Sequence, residues 1–145
     1  MTAARPATEL LPPNPDGRWF TAERRVRLGD VDVAGELRLD SVARYLQDVA
    51  NDDALDAGLS NAMGWVVRRT MIRVDRPCRL NERLRLTTFC TGAGRSWAER
   101  RTTISGTGEG ADVAVEAVSL WVQVDVVSGR PTRLGTDFFD LRAVF

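Results

Sequence analysis

Hydrophobic and polar positions follow the most regular pattern between residues 40 and 57, where their spacing predicts one long helix. At about 100° per residue the apolar side chains fall on one face and the polar ones on the other. The apolar face consists of Ala43, Leu46, Ala50, Ala54 and Ala57, widened by Val42, Tyr45 and Val49. Asp40 is predicted to cap the start of this helix, and Gly58 can take the left-handed conformation after its end. Because alanine is frequent on this face, a second surface can approach the helix axis closely.

One carboxylate, Asp53, interrupts the apolar face of the predicted helix. It falls on the same arc as Val42 and Leu46, near the carboxyl end of the helix, where the helix dipole is unfavourable for a negative charge. A carboxylate held on the packed side of a helix is a candidate general base. Two alternatives are open: a salt bridge to one of the many arginines, or a position on the fraying end of the helix.

Five other segments show the two-residue alternation of β-strands. They predict strands over 18–28, 65–76, 83–91, 95–106 and 111–127, with a flexible hairpin loop at 106–110. A strand, one long helix and then four antiparallel strands is the order of an α+β fold with the helix on one side of the sheet. The exposed sheet edges favour pairing, so we expect a homodimer or higher homo-oligomer, or a second copy in tandem.

The two ends of the chain differ from the rest. Residues 1–17 hold four of the six prolines and are predicted to be disordered or an extended arm. Residues 18–145 are predicted to form a single domain, large enough to bury a substantial core. The apolar ending at 136–145, which contains three phenylalanines, favours continuation of the chain into a further unit.

Charge and composition exclude several classes of function. The 20 basic and 20 acidic residues cancel, so neither a nucleic-acid partner nor a membrane is expected. The chain has no histidine, which removes histidine-based triads and histidine metal sites, and no metal is expected. Cys78 and Cys90 lack metal or redox spacing. No apolar run approaches the ~20 residues that span a bilayer, and no signal peptide is visible, so the predicted location is the cytoplasm.

Three stretches carry a resemblance to a known family. They read LQDVA at 46–50, WVVRR at 65–69 followed by IRVDRP at 72–77, and SLWV at 119–122. In their order and spacing they resemble the acyl-acyl-carrier-protein thioesterase family. The resemblance implies the hotdog fold, in which a curved antiparallel sheet wraps one long central helix. It also implies two hotdog units in one chain, of which this sequence looks like the N-terminal one.

The loop before the helix bears on catalysis. The catalytic Asn and His of that family belong to the second unit, and this chain has Gly35, Glu36, Leu37 and Arg38 at the corresponding place. The preceding sequence GDVDVAG at 29–35 is similar to the loop of single-unit hydroxybenzoyl-CoA thioesterases, whose second Asp is the catalytic carboxylate. This resemblance implies Asp32 as the catalytic residue. The alternative is that Asp30 and Asp32 only form the turn, by accepting hydrogen bonds from the backbone.

The resulting hypothesis is an acyl-thioester hydrolase for fatty acyl-carrier protein or acyl-CoA that needs no cofactor. Asp32 and Asp53 are the candidate catalytic residues, and amides at the helix start would hold the oxyanion. The candidate substrate-binding residues are Gly35, Glu36, Asn51, Trp65 and Arg69. Gly35 lets the backbone approach a ligand, and Asn51 can orient a water. Arginines of the predicted strands can bind phosphates of coenzyme A or an acidic carrier protein, and they are Arg68, Arg69, Arg73, Arg76, Arg100 and Arg101. For the arginines, a solvated strand face is the open alternative.

A second function fits the same sequence. Without the family's Asn and His, the chain can be a non-catalytic hotdog unit that binds an acyl group or forms a dimer. The loop at 29–35 favours the enzyme, and the missing residues favour the non-catalytic unit.

Overall fold

One long helix and five strands form in the order that the hydrophobic pattern predicts. The computed structural model describes residues 17–59, 64–135 and 138, so the predicted arm over 1–16 lies outside the described residues. The elements are β1 (Phe20–Arg25), α1 (Leu39–Asp56), β2 (Trp65–Val74), β3 (Arg83–Ala93), β4 (Trp97–Gly106) and β5 (Val113–Gln123). A short 3₁₀ helix at Leu28–Asp30 lies between β1 and α1.

The five strands form one antiparallel sheet in the order β1-β3-β4-β5-β2. Strands β3, β4 and β5 are joined by hairpins, whereas β2 pairs with β5 from the far side and forms one edge. Directly opposed residues of antiparallel strands share a face, so the register assigns each side chain to the helix side or the outer side. Arg100 opposes Ser119 and Ala98 opposes Trp121, and these four residues lie on the helix side.

The helix packs on the sheet through the amino-terminal part of its apolar face. Val42, Tyr45, Leu46 and Val49 are each less than 5 % exposed and join strand residues such as Leu84 in the main core. The opposite side of the helix is exposed, as the pattern predicts. The expected α+β architecture, with one long helix against an antiparallel sheet, is therefore confirmed.

The ends of several elements differ from the prediction. Helix α1 begins one residue earlier, and Asp40 is not its cap, because its carboxylate binds the Arg38 side chain at 3.0 Å instead. Gly58 does take the predicted left-handed conformation, with φ of 76°. Strand β1 stops at Arg25, since the chain leaves the sheet where the Val26 amide donates to the Glu82 carbonyl.

Strand β2 contains an irregularity that the alternation does not reveal. Its register against β5 shifts between Val67 and Arg69, and both Arg68 and Arg69 are exposed as a result. A regular strand would have turned one of the two arginines inward. No helix in the described part of the chain is long and apolar enough to cross a membrane.

Candidate active site

A cavity of about 350 Å³ lies between the carboxyl-terminal half of α1 and the sheet. It exists because three residues on the inner face of this half, Ala50, Ala54 and Ala57, have side chains too short to reach the sheet. Aromatic side chains complete the apolar part of the wall: Trp65, Trp121 and Phe138. The cavity therefore has an apolar part, and its volume lies within the range of roughly 300–1,000 Å³ that is typical of small-molecule sites.

A buried carboxylate, Asp53, stands in the wall of this cavity. Asp53 is 3 % exposed, and both of its oxygens are paired. Oδ1 accepts from Arg18 Nε at 3.0 Å, and Oδ2 accepts from Arg100 Nη1 at 2.6 Å. Arg18 also binds Asp56 at 2.5 Å, and although burial opposes its charge, these hydrogen bonds raise the pKa of Arg18. The structure therefore places Asp53 in the ion pair that the sequence left open as an alternative.

Asp32 lies in the exposed loop before α1. Its Oδ1 accepts from the amides of Ala34 at 2.9 Å and Glu36 at 3.0 Å, which is a side-chain turn of the predicted kind. Gly35 makes the turn possible, because its φ of 77° is strained for residues with a side chain. Within the described residues no donor binds Oδ2 of Asp32, so one oxygen of a fixed carboxylate faces outward unpaired.

A second buried carboxylate, Asp30, fixes the base of this loop to the helix. It accepts from the Tyr45 hydroxyl at 2.5 Å, from the Arg27 amide at 3.0 Å and from the Arg44 side chain. Burial opposes its charge, but these hydrogen bonds outweigh that cost and hold the pKa of the Asp30 carboxyl below its ordinary value. Burial and the bond to Asp30 raise the pKa of Tyr45 to about 12. This anchor determines where Asp32 stands relative to the start of α1.

The predicted site residues fall into separate groups. Asp32, Gly35 and Glu36 lie before the start of α1, whereas Asn51, Asp53 and Trp65 line the cavity at its far end. Helix α1 has 18 residues and is about 27 Å long, so one unit does not bring Asp32 and Asp53 together. Asp32 lines neither this cavity nor a more open one beside β1.

Arg69 belongs to neither group. Its neighbour Thr70 bonds to Ser119 on the helix side, which turns Arg69 to the outer face of the sheet. The sequence gives no indication of Arg18, and it suggests Arg100 only as a contact of phosphates or of a carrier protein, whereas the structure places both beside Asp53 in the cavity region. Strand alternation could have found Arg100, because it lies between Ala98 and Thr102 on a face that is otherwise small and uncharged.

Solved structures of hotdog thioesterases resemble this fold. A putative oleoyl thioesterase from Lactobacillus plantarum superposes with a TM-score of 0.80 at 17 % identity, covering 89 % of this chain and 52 % of the other. The 1,4-dihydroxy-2-naphthoyl-CoA thioesterase from Synechocystis superposes with a TM-score of 0.77 at 20 % identity, covering 87 % of this chain and 96 % of the other. The 4-hydroxybenzoyl-CoA thioesterase from Pseudomonas sp. strain CBS-3 superposes with a TM-score of 0.76 at 19 % identity, covering 86 % of this chain and 99 % of the other. These similarities show that the fold is the hotdog fold.

Sequence comparison identifies the family. Two uncharacterised proteins of Mycobacterium tuberculosis, from strains CDC 1551 and H37Rv, are each 31 % identical over 122 residues, which cover 83 % of this chain. The match covers 48 % of each relative, so the chain spans about half the length of the curated relatives it matches. The family model described as the acyl-ACP thioesterase N-terminal domain matches residues 17–141. The chain therefore belongs to the acyl-ACP thioesterase family and corresponds to its N-terminal hotdog domain.

Proposed function

We propose that this chain is a hotdog unit of an acyl-thioester hydrolase that acts on fatty acyl-carrier protein or acyl-CoA. The observation that carries the proposal is the apolar cavity between α1 and the sheet, in a chain of a thioesterase family. The fold neighbours named above are described as thioesterases of naphthoyl-CoA, hydroxybenzoyl-CoA and oleoyl substrates. Membership of the family supports hydrolysis of thioesters. That the acyl group is carried by acyl-carrier protein or by coenzyme A is our proposal.

The acyl chain would lie in the cavity along the alanine face of α1. Ala50, Ala54 and Ala57 leave the space, and Trp65 and Trp121 supply apolar surface on the sheet side. Each methylene group that leaves water for such a slot gains roughly 0.8 kcal/mol. We therefore expect this unit to hold the acyl part of the substrate.

The thioester chemistry would be carried out by Asp32. Its Oδ1 is held by two amides while Oδ2 has no partner in the described part of the chain, so Oδ2 can take a proton from water. The resulting hydroxide adds to the thioester carbonyl carbon. The thiolate then leaves and is protonated by Asp32, which regenerates the carboxylate. The oxyanion would be stabilised by the amino-terminal end of α1, which begins at Leu39 a few residues after this loop. Asp53, with both oxygens paired, would organise the cavity wall.

A complete site would need a second hotdog unit. Asp32 and the cavity lie at opposite ends of α1, so a second unit must bring one loop to the other cavity. This unit is proposed to be a second copy in a homodimer or the remainder of a two-unit protein. Arg68 and Arg69 are exposed together on β2, where they can bind phosphates or an acidic carrier protein. The proposed location is the cytoplasm.

Hydrolysis of a panel of acyl-CoA and acyl-carrier-protein substrates tests the proposal. Asp32→Asn should lower kcat by roughly a hundredfold or more, since it removes the base and keeps the turn. Asp125→Asn is a matched control, because Asp125 also accepts two amides through Oδ1, from Val127 and Ser128, in an exposed turn. Full activity of Asp32→Asn, or no turnover of any substrate by the chain together with its second hotdog unit, would contradict the proposed catalytic role.

The second candidate is a non-catalytic acyl-binding or dimer-forming unit. Three observations favour it. The family model that matches is that of an N-terminal domain, the chain spans about half the length of the curated relatives it matches, and the sequence contains no histidine. Binding of acyl ligands without turnover, by the chain together with a second unit, would select this function.

A further inference from the structure

The cavity wall contains a guanidinium group whose hydrogen-bonding capacity is only partly used. Arg100 Nη1 donates to Asp53 Oδ2 at 2.6 Å and to Thr88 Oγ1 at 3.2 Å. Its Nε and Nη2 donate to no residue in the described part of the chain, although the side chain is only 17 % exposed. Arginine presents five N–H groups in a fixed fork, so several donors remain available beside an apolar cavity.

A second unpaired donor lies on the same wall. Trp121 lines the cavity, and its indole Nε1 is buried without a hydrogen-bond partner among the described residues. Since Arg100 opposes Ser119 and Trp121 is two residues further along β5, Arg100 and Trp121 are diagonal neighbours on one sheet face. Buried donors are nearly always paired, so two unused donors in one wall indicate an acceptor that the described part of the chain does not supply.

The charge of the wall restricts what this acceptor can be. The cations Arg18 and Arg100 are balanced by the anions Asp53 and Asp56. A carboxylate ligand would leave one uncompensated negative charge in a partly buried site, and the cavity is also lined by Asp48 and Glu99. A neutral oxygen can accept from the free donors without this cost.

We propose that the cavity selects acyl groups that carry a neutral oxygen, a hydroxyl or a keto group, on the chain. Nε or Nη2 of Arg100 donates to this oxygen, Trp121 contributes its indole N–H, and the alanine face of α1 packs on the methylene groups. The inference rests on the proposed function for the identity of the ligand as an acyl group. Arg100 is thus a specificity-determining residue, and it is not required to touch the reacting carbonyl.

The test uses non-hydrolysable amides of aminopantetheine, measured by isothermal titration calorimetry. Decanoyl is compared with a series of hydroxydecanoyl and oxodecanoyl chains and with a chain that ends in a carboxylate. We expect the best oxygenated chain to bind at least roughly tenfold tighter than decanoyl, as one hydrogen bond from a charged donor provides. Arg100→Lys retains the charge opposite Asp53 and loses the fork, so it should reduce this preference to about twofold or less. Trp121→Phe retains the ring and should reduce the preference about threefold.

The controls alter the same residue types on the outer face of the sheet. Arg85→Lys and Trp97→Phe change exposed side chains and should leave the preference unchanged.

Four results would each overturn the inference: equal binding of decanoyl and the oxygenated chains, tightest binding of the carboxylate chain, no binding at all, or a preference that survives Arg100→Lys. Hydrolysis of the matching acyl-CoA thioesters is measured separately. Turnover without an oxygen preference refutes the inference alone, and preferential binding without turnover in the presence of the second hotdog unit refutes the proposed catalysis alone.

Discussion

The two halves of α1 present the same face to the sheet and have opposite effects on it. In the first half Val42, Tyr45, Leu46 and Val49 fill the space up to the strands and are almost fully buried. In the second half the equivalent positions are alanines, and a cavity of about 350 Å³ remains. Side-chain size along one helix therefore decides where the fold is packed and where it leaves space to bind.

Each half of α1 also has a buried carboxylate beside it, and the two carboxylates differ in their hydrogen-bond partners. Asp30, beside the packed half, is bound by the Tyr45 hydroxyl, an amide and Arg44. Asp53, beside the cavity, is bound by two guanidinium groups, and Arg100 retains donors that nothing in the described part of the chain uses. The first arrangement holds a loop in place, whereas the second leaves hydrogen-bonding capacity facing a cavity.

The largest expected effect is on the packed half. Leu46→Ala removes a side chain that is 4 % exposed and should lower the free energy of unfolding by about 2–5 kcal/mol, because the remaining cavity cannot collapse fully. Leu55→Ala, at a position of the same helix that is 64 % exposed, should change it by less than about 0.5 kcal/mol. Urea denaturation of both variants measures the difference. Similar midpoints would mean that the first half of α1 does not form the core.

The division of α1 into two halves could be read from the sequence, but its electrostatic partners could not. The change from valine, leucine and tyrosine to alanine is visible at positions 42–57. The pair Arg100-Arg101 puts one arginine on each face, and only the register against β5 decides which one faces the helix. Arg18 precedes β1 and reaches Asp53 across 35 positions, a contact that no local pattern reports. Asp53 is recognisable because it breaks a helical pattern, and a salt bridge to an arginine can be expected there. The particular arginines cannot be read off, because they come from other elements.

An intermediate effect, dependent on pH, is expected at Asp30. Asp30→Asn weakens the bonds to Tyr45 and Arg44 and should cost about 1.5–3 kcal/mol at neutral pH. The folded pKa of Asp30 is below its unfolded value near 3.9, so this stabilisation is complete above that pH and is lost as the pH falls through the folded pKa. The unfolding free energies of wild type and variant, measured from neutral pH to below 4, should therefore converge in acid. A constant difference would show that the charge of Asp30 does not stabilise the fold.

The smallest expected change in stability is at Ala54, in the cavity half, where the effect on binding is large. Ala54→Leu adds methylene groups to a space that is already empty, so the free energy of unfolding should change by less than about 1 kcal/mol. The same side chain occupies the slot, and binding of decanoyl aminopantetheine should weaken by roughly tenfold or more. Ala111→Leu, in an exposed turn, is the control and should affect neither quantity. An Ala54→Leu variant that unfolds easily would show that this half of α1 is packed like the first half. A variant that binds as well as wild type would show that the ligand does not occupy the slot beside Ala54.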